Sequence, residues 1–269
     1  MKEFPMKLGF IASNDLDGLE ADAKFAAENG FEGLEFNYWA AFADLTPETV
    51  GKMAAILDRY GVACSSFGLW GWNHTAPDPA ERERSLQMLD RAITYAAILR
   101  APIFITGGGQ TGGTLEENVA AFAQVFPPYI EKMEKNGMKF AAYAVHGNSF
   151  FENIECYKAV WEKFPNVGIK LDPLNIVGHG DDPYVWLRDY AHRVYEVHIK
   201  EGILMDGKIV SQPAAGMGDI HWGKVMAFLY EVNYDGYLIM EPHGPIWSRG
   251  PMKRKMLLLS KKYLSQFML

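Results

Sequence analysis

The stretch "RVYEVHIKE", Arg193 to Glu201, decides how this chain is read. It is a short, largely apolar run that closes on a polar group, His198, Lys200 and Glu201. Runs of this kind, apolar nearly throughout, suit parallel strands covered on both faces. Working outward, the pattern recurs in "KLGFIAS", "FEGLEFNY", "VACSSFGL", "PIFITGG", "KFAAYAVH", "VGIKLDP" and "GYLIMEPH", which makes eight such runs in all. Helical stretches separate them. "PETVGKMAAILDRYG" has Pro47 near its first turn and stops at Gly61. "PAERERSLQMLDRAITYAAILRA" spaces Leu86, Leu89, Ile93 and Ala97 as one helix face. "TLEENVAAFAQVFPPYIEKMEKNG" carries Pro127 and Pro128, which predict a kink or a split. "DDPYVWLRDYAHR" and "WGKVMAFLYEVN" follow.

Eight β/α alternations predict an α/β fold, a single (β/α)8 TIM barrel spanning residues 1–269. The rival, a doubly wound sheet, usually carries a Gly-rich phosphate turn after its first strand. Here that strand runs into "IASNDLDG", with no G-x-G-x-x-G. The glycine-rich "TGGGQTGG" after the fourth run opens no P-loop lysine and reads as a βα loop. Composition agrees with a large core, since 49% of the 269 residues are hydrophobic and 22% charged. A net charge of -7, without a basic block, argues against a nucleic-acid partner. Cys64 and Cys156 form no metal or redox motif and suggest a reducing compartment. With no signal-like or membrane-spanning run, the expectation is a cytoplasmic protein that needs no membrane, assembled as a homo- or hetero-oligomer.

In such a barrel the chemistry lies at the C-terminal ends of the strands. The second run carries Glu35 and Asn37, the fifth leads to His146, Asn148 and Ser149, and the sixth ends at Asp172 with Asn175 close behind. The seventh ends in His198, Lys200 and Glu201, the eighth in Glu241 and His243. Asp172, His198 and Glu241 stand on three successive strand ends. Two carboxylates and an imidazole make a mixed N/O ligand set for a divalent metal: Mn²⁺, Mg²⁺, Co²⁺ or Zn²⁺. Taken singly, each residue has an ordinary role as well. Asp172 caps a loop, His198 is a satisfied core histidine, and Glu241 pairs with Lys200.

The chain resembles the xylose-isomerase-like superfamily of TIM barrels, most clearly between Lys139 and His243. The matching pieces are "VGIKLDPLN", "RVYEVHIKE", "AGMGDIHWGKVMAFLYEVNYDGYLIME" and, less closely, "YAVHGNSFF". The resemblance implies a divalent-metal-dependent isomerase or epimerase, with Mn²⁺ the first choice, removing a proton next to a sugar carbonyl and stabilising the enediolate. It also implies Asp172, His198 and Glu241 as metal ligands. The remaining family ligand is a Glu ending the fifth strand, and that position falls on Ala144. Three accounts are open. Ala144 is a Glu-to-Ala variant, the first choice; or His146, which shares its strand parity, turns inward; or the site has lost its metal and only binds. Catalytic roles are expected of His146, Glu241 and Lys200, although Lys200 could merely pair with Glu201. Substrate contacts are expected of His243 and of Trp39 and Trp70, with Trp72 nearby. Asn175 stands where epimerase relatives often have His, and Lys200-Glu201 where Lys-Asp is usual. The aromatic richness keeps a lyase acting on oxidised (3-keto) O- or C-glycosides as an alternative. A non-catalytic partner subunit is a further alternative. An AP endonuclease is disfavoured by the charge. The expected partner is a small sugar or glycoside.

Overall fold

The computed structural model describes residues 6–144 and 146–268, so Val145 of the fifth run lies outside the described residues. Its strands are β1 (Lys7–Ile11), β2 (Gly33–Tyr38), β3 (Ala63–Leu69), β4 (Ile103–Thr106), β5 (Lys139–Tyr143), β6 (Gly168–Leu171), β7 (Val194–Ile199), β8 (Ile203–Met205), β9 (Lys208–Ser211) and β10 (Tyr237–Met240). Eight of them close in the order β1-β10-β7-β6-β5-β4-β3-β2. Every neighbouring pair of the barrel is parallel. This is the (β/α)8 TIM barrel that the eight apolar runs predict.

The helices are α1 (Leu16–Asn29), α2 (Pro47–Tyr60), α3 (Pro79–Ile98), α4 (Leu115–Val125), α5 (Pro127–Lys135), α6 (Ile154–Trp161), α7 (Pro173–Gly178), α8 (Pro183–Tyr190), α9 (Trp222–Glu231) and α10 (Gly250–Leu264). Local chemistry sets their ends. Thr46 caps α2 through the Thr49 amide, Pro47 occupies its first turn, and Gly61 closes it at φ 65°, where a β-carbon would be strained. The Pro127-Pro128 pair divides the long helical run into α4 and α5, because neither proline can donate to the preceding turn. Three amides of the glycine-rich loop after β4 are already taken: Gly108 N–H by Ser149 Oγ (3.3 Å), Gln110 N–H by Asn73 Oδ1 (2.8 Å) and Thr111 N–H by Asn118 Oδ1 (2.8 Å). It is a pinned βα loop.

Between β7 and α9 the chain makes a hairpin, β8–β9, outside the barrel. Asp206 and Gly207 turn it with φ of 50° and 71°, the backbone of a tight two-residue hairpin. Glu201 anchors the segment that follows. Its buried carboxylate accepts from the Gly202, Gly216 and Ile220 amides and from Trp222 Nε1, at 2.9 to 3.1 Å. This side chain therefore belongs to the loop, and Lys200 does not pair with it. Cys64 and Cys156 are both buried and free. No helix among the described residues is long and apolar enough to cross a membrane.

Candidate active site

The barrel lumen is polar over its upper half. His198 is 1% exposed, and both of its ring nitrogens meet carboxylates. Nδ1 lies 2.8 Å from Glu241 Oε2, at the end of β10, and Nε2 lies 3.0 Å from Glu35 Oε2 on β2. Strands β2 and β7 are not neighbours, so the second contact crosses the lumen. Burial alone would lower the histidine's pKa, but the adjacent charges, Glu35 foremost, raise it well above the ordinary value. The two flanking carboxylates thus favour the imidazolium form of His198. Glu35 is fixed in turn. Ser66 Oγ donates to its Oε2 (2.9 Å), Asn37 Nδ2 donates to Oε1 (2.6 Å), and Trp70 Nε1 donates to Asn37 Oδ1 (2.6 Å). Burial pushes Glu35 up, yet His198 outweighs it and holds the acid down at about 2.

Glu196, two residues before His198, is fully buried, and neither of its oxygens has a hydrogen-bond partner among the described residues. Its Oε1 is 3.6 Å from His198 Nε2, too long for a hydrogen bond. Burial and the neighbouring Glu35 charge push it up to about 8. Of these two acids, the surroundings favour the charged form of Glu35 and the protonated form of Glu196.

Toward the mouth, Asp172 and Glu241 share an ammonium. Lys200 Nζ is 2.8 Å from Asp172 Oδ2 and 3.4 Å from Glu241 Oε2. A second buried lysine, Lys170, reaches the same Asp172 oxygen at 3.3 Å and lies over the Trp70 ring at 5.2 Å. Asp172 Oδ1 accepts from the Asn175 amide and so caps α7. Burial would raise Asp172; Lys200 and then Lys170 bring it down to about 2. Glu241 is likewise held well below its usual range, against burial, with Lys200 the leading cause. Its Oε1 meets the half-exposed His243 at 3.3 Å.

A cavity of 420 Å³ opens over these groups, lined by Trp39, Trp70, His146, Lys170, Lys200 and Glu241 among others. Its size is in the range of small-molecule sites. His146 follows β5, and its Nε2 sits 3.1 Å from Asn175 Nδ2. Burial, helped by Lys170 and Lys200, lowers it to about 4, so its imidazole is neutral at pH 7. Trp39 is 53% exposed at the rim, whereas Trp70 is 4% exposed and stacks on Tyr143 at 4.3 Å. Trp72 packs against the core.

The structure thus brings Asp172, His198 and Glu241 together. Their ligand atoms lie within 4.8 Å of one another, a possible metal-binding cluster. The ordinary roles hold alongside: Asp172 caps a helix, His198 has both nitrogens satisfied, and Glu241 pairs with Lys200. Ala144 is buried and brings no carboxylate to the cluster. His146 turns to the cavity but is not one of the clustered ligands. Tested against a divalent ion, the donor set does not fit as placed. His198 Nδ1 already faces Glu241 Oε2, and the Asp172 and Glu241 oxygens already hold ammonium groups. An ion at about 2.1 Å from those oxygens would lie no more than about 5 Å from the Lys200 nitrogen. At an effective dielectric of about 20, that repulsion is about 7 kcal/mol, which the ion's attraction to the same oxygens must offset unless Lys200 moves away.

Lys170, Glu196 and the role of Glu35 escape the sequence reading. The available signal is a charge inside an apolar strand, two residues before a strand-end candidate: Lys170 before Asp172 and Glu196 before His198.

Fold and site together define a TIM barrel with a buried array of acids, lysines and one histidine at its C-terminal mouth. The family model described as xylose isomerase-like TIM barrel matches residues 23–261, and the chain belongs to that family. A search of curated proteins finds no match. Among solved structures, the chain is similar to a xylose isomerase domain protein from Planctomyces limnophilus, at 19% identity and TM-score 0.74, over 98% of this chain and 97% of that one. It is also similar to D-allulose 3-epimerase from Methylomonas sp. in complex with D-allulose, at 16% identity and TM-score 0.80, over 97% of each chain. A third is 3-keto-D-glucoside 4-epimerase from E. coli, at 13% identity and TM-score 0.76, over 97% and 99%. At these identities the likeness is one of fold.

Proposed function

We propose that this chain is an enzyme that removes a proton next to a carbonyl of a sugar or keto-sugar, an isomerase or epimerase by reaction class. The observation that carries the reading is the cavity whose floor holds Lys200 between Asp172 and Glu241, with the neutral His146 on its wall. The epimerases of like fold act, by their names, on free or oxidised sugars.

An ammonium has three N–H donors. Two of those of Lys200 face Asp172 and Glu241, which leaves one for a substrate oxygen in the cavity. A carbonyl oxygen placed there gains charge as the neighbouring carbon loses its proton, and the fixed ammonium stabilises that charge. His146 takes the proton. The Asn175 side-chain NH₂ donates to the lone pair of His146 Nε2, so this bond holds the ring in place and must give way when substrate enters and the base acts. Once the neighbouring hydroxyl's proton has passed to the former carbonyl oxygen, return of the carbon-bound proton to the former carbonyl carbon completes an isomerisation. Epimerisation needs a proton from the other face. Glu241 stands across the cavity, at the end of β10, with β6 and β7 between it and β5; held as a carboxylate, it can hand over a proton only after taking one up from substrate or solvent. His243 and Trp39 are the substrate contacts at the rim. No step passes through a divalent ion, Mn²⁺ included.

The exposed Trp39 supports a second reading, because it offers a stacking face beyond the space of one sugar ring. In a lyase on 3-keto-glycosides, His146 takes the same proton and the glycosidic bond β to the carbonyl breaks. Incubation with free ketoses and aldoses, and with 3-keto-O- and C-glycosides, separates the outcomes by chromatography. Interconverted sugars support the first reading and a released aglycone the second. His146→Gln should lower either turnover by about 10²–10⁴ with the fold intact. No product from any class would refute both readings and favour a non-catalytic subunit.

A further inference from the structure

We propose that the ammonium groups of Lys170 and Lys200 replace a divalent cation in this barrel, so that the site holds its charge balance and binds substrate oxygens without a resident metal. The part about substrate rests on the sugar-enzyme reading; the part about charge rests on geometry alone.

Lys170 and Lys200 are 2% and 4% exposed. A lysine is rarely buried so deeply unless paired, because its ammonium loses its water. Both pairings fall on the same carboxylate oxygen, Asp172 Oδ2, at 3.3 and 2.8 Å, and Lys200 extends to Glu241 Oε2 at 3.4 Å. Two ammonium groups bring the two positive charges that one divalent ion would bring, and to the same oxygens. Asp172 and Glu241 are neutralised by Lys170 and Lys200. The resemblance puts a third carboxylate at position 144, and a methyl group stands there. Glutamate there would leave one more negative charge than the two lysines can balance. Lysine is usual at position 200 in the family, so the arrangement turns on Ala144: without the third acid, Lys200, joined by Lys170, already balances the two carboxylates that remain, and Ala144 belongs to the native design.

The ammonium also takes over an ion's task. The Lys200 ammonium is fixed by two carboxylates, and it lies in the floor of the cavity, where a carbonyl oxygen would otherwise meet the cation. Unlike an ion, it cannot dissociate, and chelators cannot remove it.

The test is a Mn²⁺ titration of the full chain after dialysis against EDTA, followed by calorimetry and by the Mn²⁺ spin-resonance signal, with no substrate present. The expected result is no saturable binding up to about 1 mM Mn²⁺. In the triple variant Ala144→Glu, Lys170→Asn, Lys200→Gln, a 1:1 site should appear with affinity at least about 100-fold higher, since one ligand is added and two opposing charges are gone. Stoichiometric, micromolar binding by the parent would overturn the proposal. So would a folded triple variant that gains nothing. If the triple variant does not fold, Lys200→Gln alone decides on the same titration: saturable binding below about 1 mM Mn²⁺, where the parent shows none, supports the proposal, and its absence overturns it. Because no sugar is involved, failure of the sugar-enzyme reading leaves this result untouched.

Discussion

Replacing Glu201 by glutamine should loosen the wall of the cavity without touching its floor. The carboxylate accepts four N–H groups, two on each oxygen: Gly202 and Ile220 on Oε1, Gly216 and Trp222 Nε1 on Oε2. Glutamine has the same shape, but one of its two terminal atoms is an NH₂. Whichever way the amide turns, two donors then face a donor. Each lost charge-assisted hydrogen bond is worth about 1.5–3 kcal/mol, so the pair amounts to about 3–6 kcal/mol. Total stability is only about 5–15 kcal/mol. For a chain of this size, the loss corresponds to a fall in Tm of about 6–24 °C. If the segment opens locally first, the loss appears instead as faster exchange of the Gly216 and Ile220 amides. Ile209 and Gln212, on and just beyond β9, line the cavity, so KM should rise in the same variant. The assays are circular-dichroism melting and amide hydrogen exchange. A Tm within about 2 °C of the parent together with unchanged exchange would refute the anchoring role.

Other outcomes follow from the same geometry. Trp39→Ala should raise KM several-fold while stability stays within about 0.5 kcal/mol, because the ring is exposed at the rim; a KM equal to the parent's would remove it from the substrate contacts. His146, lowered to about 4 chiefly by burial, is a free base at neutral pH. The rate should therefore be level above pH 5 and fall about tenfold per pH unit below about 4, and a midpoint near 6.5 would contradict this. His74 is buried between Ser85 Oγ (2.8 Å) and Thr106 Oγ1 (2.9 Å), and burial lowers it to about 3. The unfolded chain then binds more protons than the folded one between pH 6.5 and 3. Its contribution to stability is complete above 6.5 and lost as pH falls through that window. Urea midpoints across it should slope less in His74→Gln, and an identical slope would reject the assignment.

The barrel strands were legible because burial on both faces writes itself as apolar runs, from "KLGFIAS" to "GYLIMEPH". The hairpin β8–β9 was not. Its strands are short and exposed, so they carry no apolar run, and only the Asp206-Gly207 turn marks them. Strand-end residues were readable by position: Asp172, His198, Lys200, Glu241 and His146 all line or underlie the cavity. Their charge state was not, since it depends on partners far away in sequence. Glu35 reaches His198 across 163 residues, and Lys170 looks like an isolated charge until Asp172 and Trp70 close around it. Trp70, a candidate stacking surface by sequence, has Tyr143 on its ring and Lys170 over it.

The most direct measurement of the central claim is solvent deuterium exchange. The chain is dialysed against EDTA and incubated in D₂O with ketoses and 3-keto-glycosides, and the carbon next to the carbonyl is followed by proton NMR. The account predicts that at least one substrate class takes up deuterium there, that His146→Gln slows the uptake by about 10²–10⁴, and that added Mn²⁺ does not accelerate the parent. Exchange that appears only when Mn²⁺ is restored, or that proceeds unchanged without His146, would contradict it.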